Sequence, residues 1–122
     1  MLDNRPKTIF CDIDGTLIEH TPPSNVARSM WNSIALPGTI DKLTEWDSKG
    51  YTIILTTGRK ESLKSQTEKQ LRELGIFYDQ LIMGISGGQR VLINDFKPND
   101  NVNLTAISFC VERNVGIKEI NI

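Results

Sequence analysis

The sequence predicts an α/β protein built on a mostly parallel β-sheet flanked by helices. Apolar, β-prone runs alternate with helical patterns along the chain, which is typical of strands joined by right-handed crossovers. Three predicted strands are followed by polar residues, at the carboxyl ends where parallel sheets bind their ligands. The chain has 122 residues, of which 39% are hydrophobic and 24% are charged. We therefore expect one domain that spans residues 1–122.

The first half of the chain predicts two strands separated by a helix. Residues 7–11 form a short apolar run that leads into a turn containing Gly15. Residues 17–36 carry loop signals, and their pattern is ambiguous. A helix is predicted between Pro37-Gly38 and Gly50. Its apolar face consists of Ile40, Leu43 and Trp46. Residues 51–56 are mostly β-branched and apolar, as expected for a buried parallel strand.

The second half predicts a long helix followed by shorter strands. The helix covers residues 60–74, and Gly75 is suited to end it. Its core face consists of Leu63, Leu71 and Leu74. Residues 80–83 and 91–93 predict two strands. Residues 105–111 alternate apolar with small or polar side chains, which favours a last strand over a helix.

Composition excludes several classes of protein. The 14 Lys and Arg residues against 15 Asp and Glu residues give a net charge of −1, without the basic excess of a nucleic-acid-binding protein. We therefore do not expect nucleic acid as a partner. No apolar run is long enough to span a membrane, and residues 1–6 lack the apolar core of a secretory signal. Cys11 and Cys110 show no paired spacing, which favours a cytoplasmic protein without a disulfide framework or a zinc site.

Acidic side chains follow two of the predicted strands. Asp12 and Asp14 end the first strand, and their spacing in extended chain directs both carboxylates to one side. Asp95 follows the strand predicted at residues 91–93, and Asp100 lies in the next loop. Mg²⁺ is commonly held by one or two carboxylates together with waters and a substrate phosphate. The sequence therefore predicts Mg²⁺ as a cofactor, with these four aspartates as its candidate ligands.

A hydroxyl and a basic residue follow the second strand. Thr57-Gly58-Arg59 precedes the long helix, so its hydroxyl and backbone N–H groups are suited to bind an anion. Arg59 is able to donate a charge-assisted hydrogen bond to a phosphate oxygen, although it is equally suited to cap its helix or to pair with a glutamate. Acids, a metal ion and an anion site together indicate phosphoryl transfer.

Three segments resemble the motifs of one enzyme superfamily. Residues 9–17, Ile-Phe-Cys-Asp-Ile-Asp-Gly-Thr-Leu, resemble the first motif of the haloacid dehalogenase (HAD) superfamily in its DxDGT phosphatase form. Residues 53–59 resemble the second motif, an apolar strand that ends in Thr or Ser. Residues 91–95, with Asp100, resemble the fourth motif, an acidic pair after an apolar strand. The resemblance implies a Rossmann-like hydrolase domain that releases phosphate from phosphomonoesters.

The same resemblance implies a role for each motif residue. Asp12 is similar to the nucleophile that forms an aspartyl-phosphate, and Asp14 to the acid that protonates the leaving group and then activates water. Thr57 would hold the phosphoryl group, with Thr16, Gly58 and Arg59 as further substrate-binding residues. Asp12, Asp95 and the backbone carbonyl of Asp14 would hold Mg²⁺.

The sequence departs from the superfamily pattern at the third motif. That motif usually supplies a lysine shortly before the fourth, but residues 84–90 contain none. Arg90 is the nearest cation, and Lys97 and Lys64 are its competitors. Arg90 and Lys97 are therefore added to the expected substrate-binding residues.

The intervals between the motifs leave no room for a cap domain. Residues 15–56 and 58–94 are already used by the predicted helices and strands. An open site of this kind suits bulky phosphorylated substrates such as sugar phosphates, or is closed by a neighbouring subunit of a homo-oligomer. The chain is also similar to small phosphatases of capsule or surface-polysaccharide metabolism at the Pro37-Gly38 helix start, the Thr56-Thr57-Gly58-Arg59 turn and the Glu112-Arg113-Asn114-x-Gly116-Ile117 segment.

Two other classes of protein compete with the phosphatase. A catalytically silent HAD-like domain, acting as a binding or regulatory module, is favoured by the missing lysine and opposed by the intact set of acids and Thr57. A phosphoacceptor receiver domain also has acidic strand ends, but the strongest central strand here ends in threonine. A calcium loop is disfavoured because Asp12-x-Asp14 follows an apolar strand rather than a helix.

Overall fold

Three parallel strands and the helices between them form the framework of the described chain. The computed structural model describes residues 4–122. Residues 1–3, which belong to the predicted domain and to the N-terminal segment examined for a secretory signal, lie outside the described residues. In chain order the elements are β1 (Thr8–Asp12), α1 (Pro23–Ala27), α2 (Thr39–Ser48), β2 (Thr52–Thr56), a 3₁₀ turn (Glu61–Leu63), α3 (Lys64–Glu73) and β3 (Gln80–Ile82). This order confirms the α/β class predicted from the sequence.

The three strands pair in the order β1-β2-β3, and both pairings are parallel. Asp12, the last residue of β1, lies in register with Thr56, the last residue of β2. The carboxyl ends of the two strands therefore meet at one edge of the sheet. The segments that follow them, which begin at Ile13 and Thr57, leave the sheet side by side.

Helices α2 and α3 contribute buried apolar side chains to the core. Leu43 and Trp46 of α2 and Leu71 of α3 are buried together with Ile53 and Leu55 of β2. This confirms most of the predicted apolar faces and the buried character of β2. The prediction was wrong for Ile40, which is 38% exposed because it lies at the rim of the face. The long helix is also shorter than predicted, since the 3₁₀ turn precedes α3.

Two predicted strands are not formed. Residues 91–93 and residues 105–111 contain no strand in the structure. Val91, Leu92 and Ile93 are 75%, 59% and 88% exposed, so this segment lacks the neighbouring strand and the burial that stabilise a short strand. The alternation at residues 105–111 has no covering layer either, because Ile107 and Phe109 are 59% and 52% exposed.

The C-terminal segment packs against the start of α2. The backbone N–H of Ile117 donates to the carbonyl of Pro37 at 3.2 Å, and Ile117 joins the core with Ile120 and Ile122 packed against it. Between Asp14 and Thr57 the described chain forms α1, α2 and β2, and it holds no separate cap domain. Among the described residues, no helix is long and apolar enough to cross a membrane.

Candidate active site

Asp12 lies at the carboxyl end of β1, where a tight turn begins. The N–H groups of Thr16 and Leu17 both donate to the carbonyl of Ile13, at 3.1 and 2.9 Å. This turn needs Gly15, whose φ of +81° lies in the left-handed region. It also returns the Thr16 hydroxyl to the Asp12 carboxylate, where the Oγ1–Oδ2 distance is 3.1 Å. The Asp12 side chain remains exposed at the edge of the sheet.

Several neighbouring groups shift the pKa of the Asp12 carboxyl. Partial burial of its carboxyl raises the pKa from the ordinary 3.8, and the nearby charge of Asp14 acts in the same direction. The Thr16 hydroxyl, the backbone N–H of Ile13 and the positive charge of Arg90 lower the pKa. The charges of Asp14 and Arg90 therefore both act on the pKa of Asp12, in opposite directions.

Asp14 is held by a bidentate ion pair with Arg59. The guanidinium Nε donates to Asp14 Oδ2 at 2.9 Å, and Nη2 donates to Oδ1 at 2.8 Å. The backbone N–H of Thr21 donates to Oδ1 as well, at 3.3 Å. The Asp14 carboxylate is thus fixed in orientation by two groups from different segments of the chain.

The same arginine is anchored on α3. Arg59 is only 7% exposed, and its Nη1 donates to Thr67 Oγ1 at 3.1 Å and to Gln70 Oε1 at 2.9 Å. Gln70 in turn donates from Nε2 to Thr21 Oγ1 at 3.2 Å. A buried polar network therefore connects Asp14 to α3 and to the loop that contains Thr21.

Thr57 is buried at the start of the turn between β2 and the 3₁₀ turn. Its backbone N–H donates to the Ile82 carbonyl at 3.0 Å, and its hydroxyl oxygen accepts from the Arg59 N–H at 3.1 Å. Gly58 lies between them, and a Cβ at this position would make a tight contact of 3.1 Å with the Ile85 carbonyl oxygen. This turn aims the Arg59 side chain inward, toward Asp14.

The remaining predicted site residues lie in exposed segments. Arg90 lies two residues after Gly88, and its Nη1 donates to the Gly88 carbonyl at 2.9 Å. Asp95 is exposed. The carboxylate of Asp100 closes its own loop, because Oδ1 accepts from the N–H groups of Val102 and Asn103, at 3.2 and 3.1 Å. Lys97 belongs to the same loop, where its carbonyl accepts from the Asp100 N–H at 3.0 Å.

The four candidate metal ligands are not gathered in one place. Asp12 and Asp14 are neighbours, but no group of three or more Asp, Glu, His or Cys side chains within residues 4–122 is arranged to hold a metal ion. Cys11, next to Asp12, is buried, and burial followed by the charge of Asp12 raises the pKa of its thiol to about 12. The thiol is therefore neutral, and the Cys11 side chain packs in the hydrophobic core.

The sequence analysis missed the residues that hold Arg59. Thr67 and Gln70 lie on the buried face of α3 beside Leu71. A signal was present, because two polar residues interrupt the apolar stripe that runs from Leu63 to Leu74. A polar residue on a core-facing stripe indicates a buried hydrogen-bonding partner. Thr21, by contrast, lies in a Pro-rich loop without such a pattern.

Comparison with known proteins identifies the family. The family model described as "Polynucleotide kinase PNKP phosphatase domain" matches residues 6–93. The chain therefore belongs to this family of phosphatase domains within the HAD superfamily. This confirms the superfamily and the enzyme class predicted from the motifs.

Solved structures with a similar fold agree with this family. A chain of a Pnkp1/Rnl/Hen1 complex is 28% identical with a TM-score of 0.56, and the match covers 70% of this chain and 30% of that chain. A chain of the Pnkp1/Rnl/Hen1 RNA repair complex gives 28% identity and a TM-score of 0.55, covering 70% and 28%. The present chain thus corresponds to about 30% of the length of the first of these relatives.

A more distant similarity is to the D,D-heptose 1.7-bisphosphate phosphatase from B. bronchiseptica complexed with magnesium and phosphate. It is 19% identical with a TM-score of 0.40, and it covers 63% of this chain and 49% of that chain. No curated protein sequence matches the chain. The resemblance to phosphatases of capsule or surface-polysaccharide metabolism stays a prediction.

Proposed function

We propose that this member of the PNKP phosphatase-domain family is a Mg²⁺-dependent phosphomonoesterase that works through an aspartyl-phosphate on Asp12. One observation carries the proposal. The exposed Asp12 carboxylate lies at the end of β1 beside Asp14, whose own carboxylate is locked by Arg59. A carboxylate without an ion-pair partner on its oxygens within residues 4–122, beside one that an arginine holds, matches the division between a nucleophile and an acid–base group.

In the first step, a carboxylate oxygen of Asp12 attacks phosphorus. The bond between phosphorus and the ester oxygen breaks, and the ester oxygen leaves with the electron pair. Asp14 gives this oxygen its proton, so the alcohol departs neutral. We assign the proton to Oδ2, which accepts from one donor, Arg59 Nε at 2.9 Å, whereas Oδ1 accepts from both Arg59 Nη2 and the Thr21 N–H.

In the second step, water hydrolyses the aspartyl-phosphate. Asp14, now ionised, takes a proton from the water as its oxygen bonds to phosphorus. The bond between phosphorus and the Asp12 oxygen breaks, which restores the carboxylate and releases inorganic phosphate. The buried pair with Arg59 suits this second step, because it orients Asp14 in the ionised form that accepts the proton.

The residues present fit a Mg²⁺ ion with few protein ligands. The exposed Asp12 carboxylate and the backbone carbonyl of Asp14 would hold it, since Mg²⁺ often takes only one or two protein carboxylates. When bound, Mg²⁺ would offset negative charge on the phosphoryl group. Asp95 and Asp100 stay proposed ligands.

Arg90 is the proposed substitute for the missing lysine. Its positive charge already lowers the pKa of Asp12, which supports a position within electrostatic range of the reacting atoms. Lys97 has no such effect on Asp12 and belongs to the loop closed by Asp100. Thr57 is proposed to bind the phosphoryl group through its hydroxyl, with Thr16 and Gly58 beside it.

The proposed substrate is a bulky phosphorylated molecule such as a sugar phosphate. The absence of a separate cap within the described residues supports an open site. A second candidate is a phosphorylated end of a polynucleotide, which the family description and the similarity to a chain of an RNA repair complex favour over the expectation from net charge. A homo-oligomer and a cytoplasmic location stay predictions.

Release of phosphate from an aryl phosphate tests the proposal. The wild-type protein should hydrolyse p-nitrophenyl phosphate when Mg²⁺ is present and should stop when the metal is chelated. Asp12→Asn is the matched negative control, because it keeps the shape of the side chain and removes the attacking oxyanion. Equal activity of the two proteins would reject Asp12. No activity of either would overturn the proposal in favour of the catalytically silent alternative.

A further inference from the structure

Gln70 of α3 is a buried polar residue to which the proposed reaction assigns no task. Gln70 and Thr67 are both 0% exposed. Their spacing of three residues places them on one face of the helix, toward the core. Burial of a polar side chain costs free energy unless the side chain is hydrogen-bonded, so an apolar residue would be favoured here without such bonds. The hydrogen bonds of Gln70 therefore indicate what the residue does.

Gln70 belongs to a closed ring of hydrogen bonds. Its Oε1 accepts from Arg59 Nη1 at 2.9 Å, and its Nε2 donates to Thr21 Oγ1 at 3.2 Å. The ring closes at Asp14, whose carboxylate accepts from Arg59 and from the Thr21 N–H. A guanidinium only donates, so the oxygen of the Gln70 amide has to face Arg59 and the nitrogen has to face Thr21. Both bonds are made in this one orientation of the amide.

The ring holds the Arg59 guanidinium through all three of its nitrogens. Nε and Nη2 donate to Asp14, and Nη1 donates to Gln70 and to Thr67 Oγ1, the latter at 3.1 Å. A bidentate pair requires the plane of the guanidinium to match that of the carboxylate. The side chain of arginine has several rotatable bonds, so its charge alone does not fix that plane. The contacts of Nη1 with α3 supply the missing constraint.

A second anion competes for Arg59 when substrate binds. In the proposed reaction the substrate phosphate lies beside Asp12, and arginine pairs with phosphate as well as with carboxylate. Movement of the guanidinium to the phosphate would release Asp14 from its bidentate pair. Gln70 and Thr67 oppose this movement, because it would leave their buried oxygens without the Nη1 donor.

We propose that Gln70, together with Thr67, is a positioning residue that commits Arg59 to the acid–base group rather than to the substrate. The inference rests on the proposed function, because it needs Asp14 to give its proton to the leaving-group oxygen. Gln70 does not touch the reacting atoms and acts through Arg59. Its loss leaves Asp14 in place but holds the carboxylate less firmly in its orientation.

The dependence on the leaving group tests the inference. Gln70→Leu removes both hydrogen bonds of the amide and keeps a similar side-chain volume. Its kcat/KM should fall at least about tenfold for ethyl phosphate, whose leaving group needs a proton from a well-placed acid. For p-nitrophenyl phosphate, whose phenolate leaves unassisted, the loss should stay within about threefold. A variant that merely contained fewer folded molecules would lose equally with both esters, so equal losses would overturn the inference.

Three further variants support the comparison. Gln66→Leu, the same exchange on the same helix outside the ring, should change neither value. Thr67→Val removes only the hydroxyl that accepts from Nη1, so it keeps the test available if Gln70→Leu does not fold. It should lower kcat/KM for ethyl phosphate by about threefold or more and leave the aryl ester unchanged. Thr67→Ser, which keeps the hydroxyl, should behave as the wild type.

A double variant tests whether Gln70 acts through Arg59. In an Arg59→Lys background the guanidinium is already lost, so Gln70→Leu should not change the ratio of the two kcat/KM values any further. The same selective loss for ethyl phosphate in both backgrounds would overturn the inference, since Gln70 would then act independently of Arg59.

A structural measurement separates this inference from the activity. The Arg59 Nε–H donates to Asp14 and is buried, so its exchange with solvent should be slow in the wild type. Nitrogen-15 NMR should show faster exchange in Gln70→Leu and Thr67→Val, but not in Gln66→Leu. This result without turnover of either ester by the wild type would reject the proposed function and keep Gln70 as the residue that holds Arg59. Turnover with unchanged exchange in the variants would keep the function and reject the role of Gln70.

Discussion

Arg59 donates to both carboxylate oxygens of Asp14 from a position 45 residues further along the chain. The two residues follow neighbouring strands, β1 and β2, so the parallel pairing of the sheet creates the contact. The side chains are only 4% and 18% exposed for Arg59 and Asp14. The ion pair therefore both closes the core and orients the proposed acid–base group.

Removal of the guanidinium should be costly. Arg59→Ala leaves the Asp14 carboxylate buried without its partner, which should lower the free energy of unfolding by about 3–5 kcal/mol. Arg59→Lys keeps the charge but loses the bidentate geometry. We expect it to lower kcat clearly while lowering the free energy of unfolding by less than Arg59→Ala does. Urea unfolding and kcat of the three proteins measure both effects. A fully active Arg59→Lys would show that charge alone is sufficient.

Asp12 and Asp14 should respond differently to the leaving group. Asp12→Asn should abolish turnover of every substrate, because the attacking oxygen is lost. Asp14→Asn should reduce turnover of an alkyl phosphate by about 10²–10⁴-fold, since the poor leaving group needs a proton. The loss should shrink with an aryl phosphate whose phenolate leaves unassisted. Equal losses with both esters in Asp14→Asn would contradict its role as an acid.

The sequence predicted the site residues that adjoin strand ends, because strand polarity alone determines where they meet. Asp12, Asp14, Thr57 and Arg59 all follow β1 or β2, and both strands have a continuous apolar pattern. The partner of Arg59 was left open among phosphate, a glutamate and a helix cap, and the structure pairs Arg59 with Asp14 instead. The partner of Arg59 depends on where Thr67 and Gln70 lie in the folded protein. The sequence shows these two residues only as polar positions on the apolar face of the helix.

Strand predictions failed where the segment needed a neighbouring strand to pair with. Residues 91–93 have the composition of a strand, but in the structure no strand pairs with them and their side chains are exposed. Periodicity detects that a segment is able to pair and does not detect whether it does. The position of Asp95, which depends on this segment, was therefore less predictable than that of Asp12.

The pH dependence of Asp12 should reveal the cation near it. Arg90 lowers the Asp12 pKa, whereas burial raises it from 3.8, so Arg90→Ala should raise the pKa further. Attack requires the ionised carboxylate, and the acidic limb of the kcat/KM profile should therefore move to higher pH. Carbon-13 NMR of the Asp12 carboxyl in metal-free protein measures the same shift directly.

Alanine variants of the three candidate cations identify the one that stabilises the transition state. Its removal should cost about 2–4 kcal/mol in kcat/KM, the scale of one preorganised donor. We expect this loss in Arg90→Ala, with Lys97→Ala and Lys64→Ala as controls that change kcat/KM only a few-fold. A large loss in either lysine variant alone would replace Arg90.

Asp95 and Asp100 should differ in their effect on the metal. Asp95→Asn should increase the Mg²⁺ concentration needed for half-maximal activity, because a proposed ligand loses its charge. Asp100→Asn should give such an increase if Asp100 is the ligand, and it should also disturb the loop that the Asp100 carboxylate closes. Hydrogen bonds from Asn103 and Val102 lower the pKa of Asp100 below 3.8, so this loop is stabilised at neutral pH and loses that contribution as the pH falls through the lowered pKa. Mg²⁺ titrations of both variants, with matched protein concentrations, decide between them.

The close contact between Gly116 and Pro37 should make position 116 intolerant of any side chain. Gly116 has a φ of +106°, and a Cβ there would lie 2.4 Å from the Pro37 carbonyl oxygen. Gly116→Ala should therefore lower the free energy of unfolding by more than Gly75→Ala, which has a φ of +74° and nothing within 4 Å. We expect about 1–2 kcal/mol for Gly75→Ala from backbone strain alone. Urea unfolding of the two variants would contradict this if the losses were equal.

The outer edge of β1 has a practical consequence for handling the protein. Among the described residues no strand pairs with this edge, and Phe10 beside it is 55% exposed. An open edge with an apolar side chain is a template for pairing with another copy, which in concentrated samples leads to aggregation. Turbidity should therefore increase with concentration and time of storage, and a single lysine at Phe10 should keep the sample clear for longer.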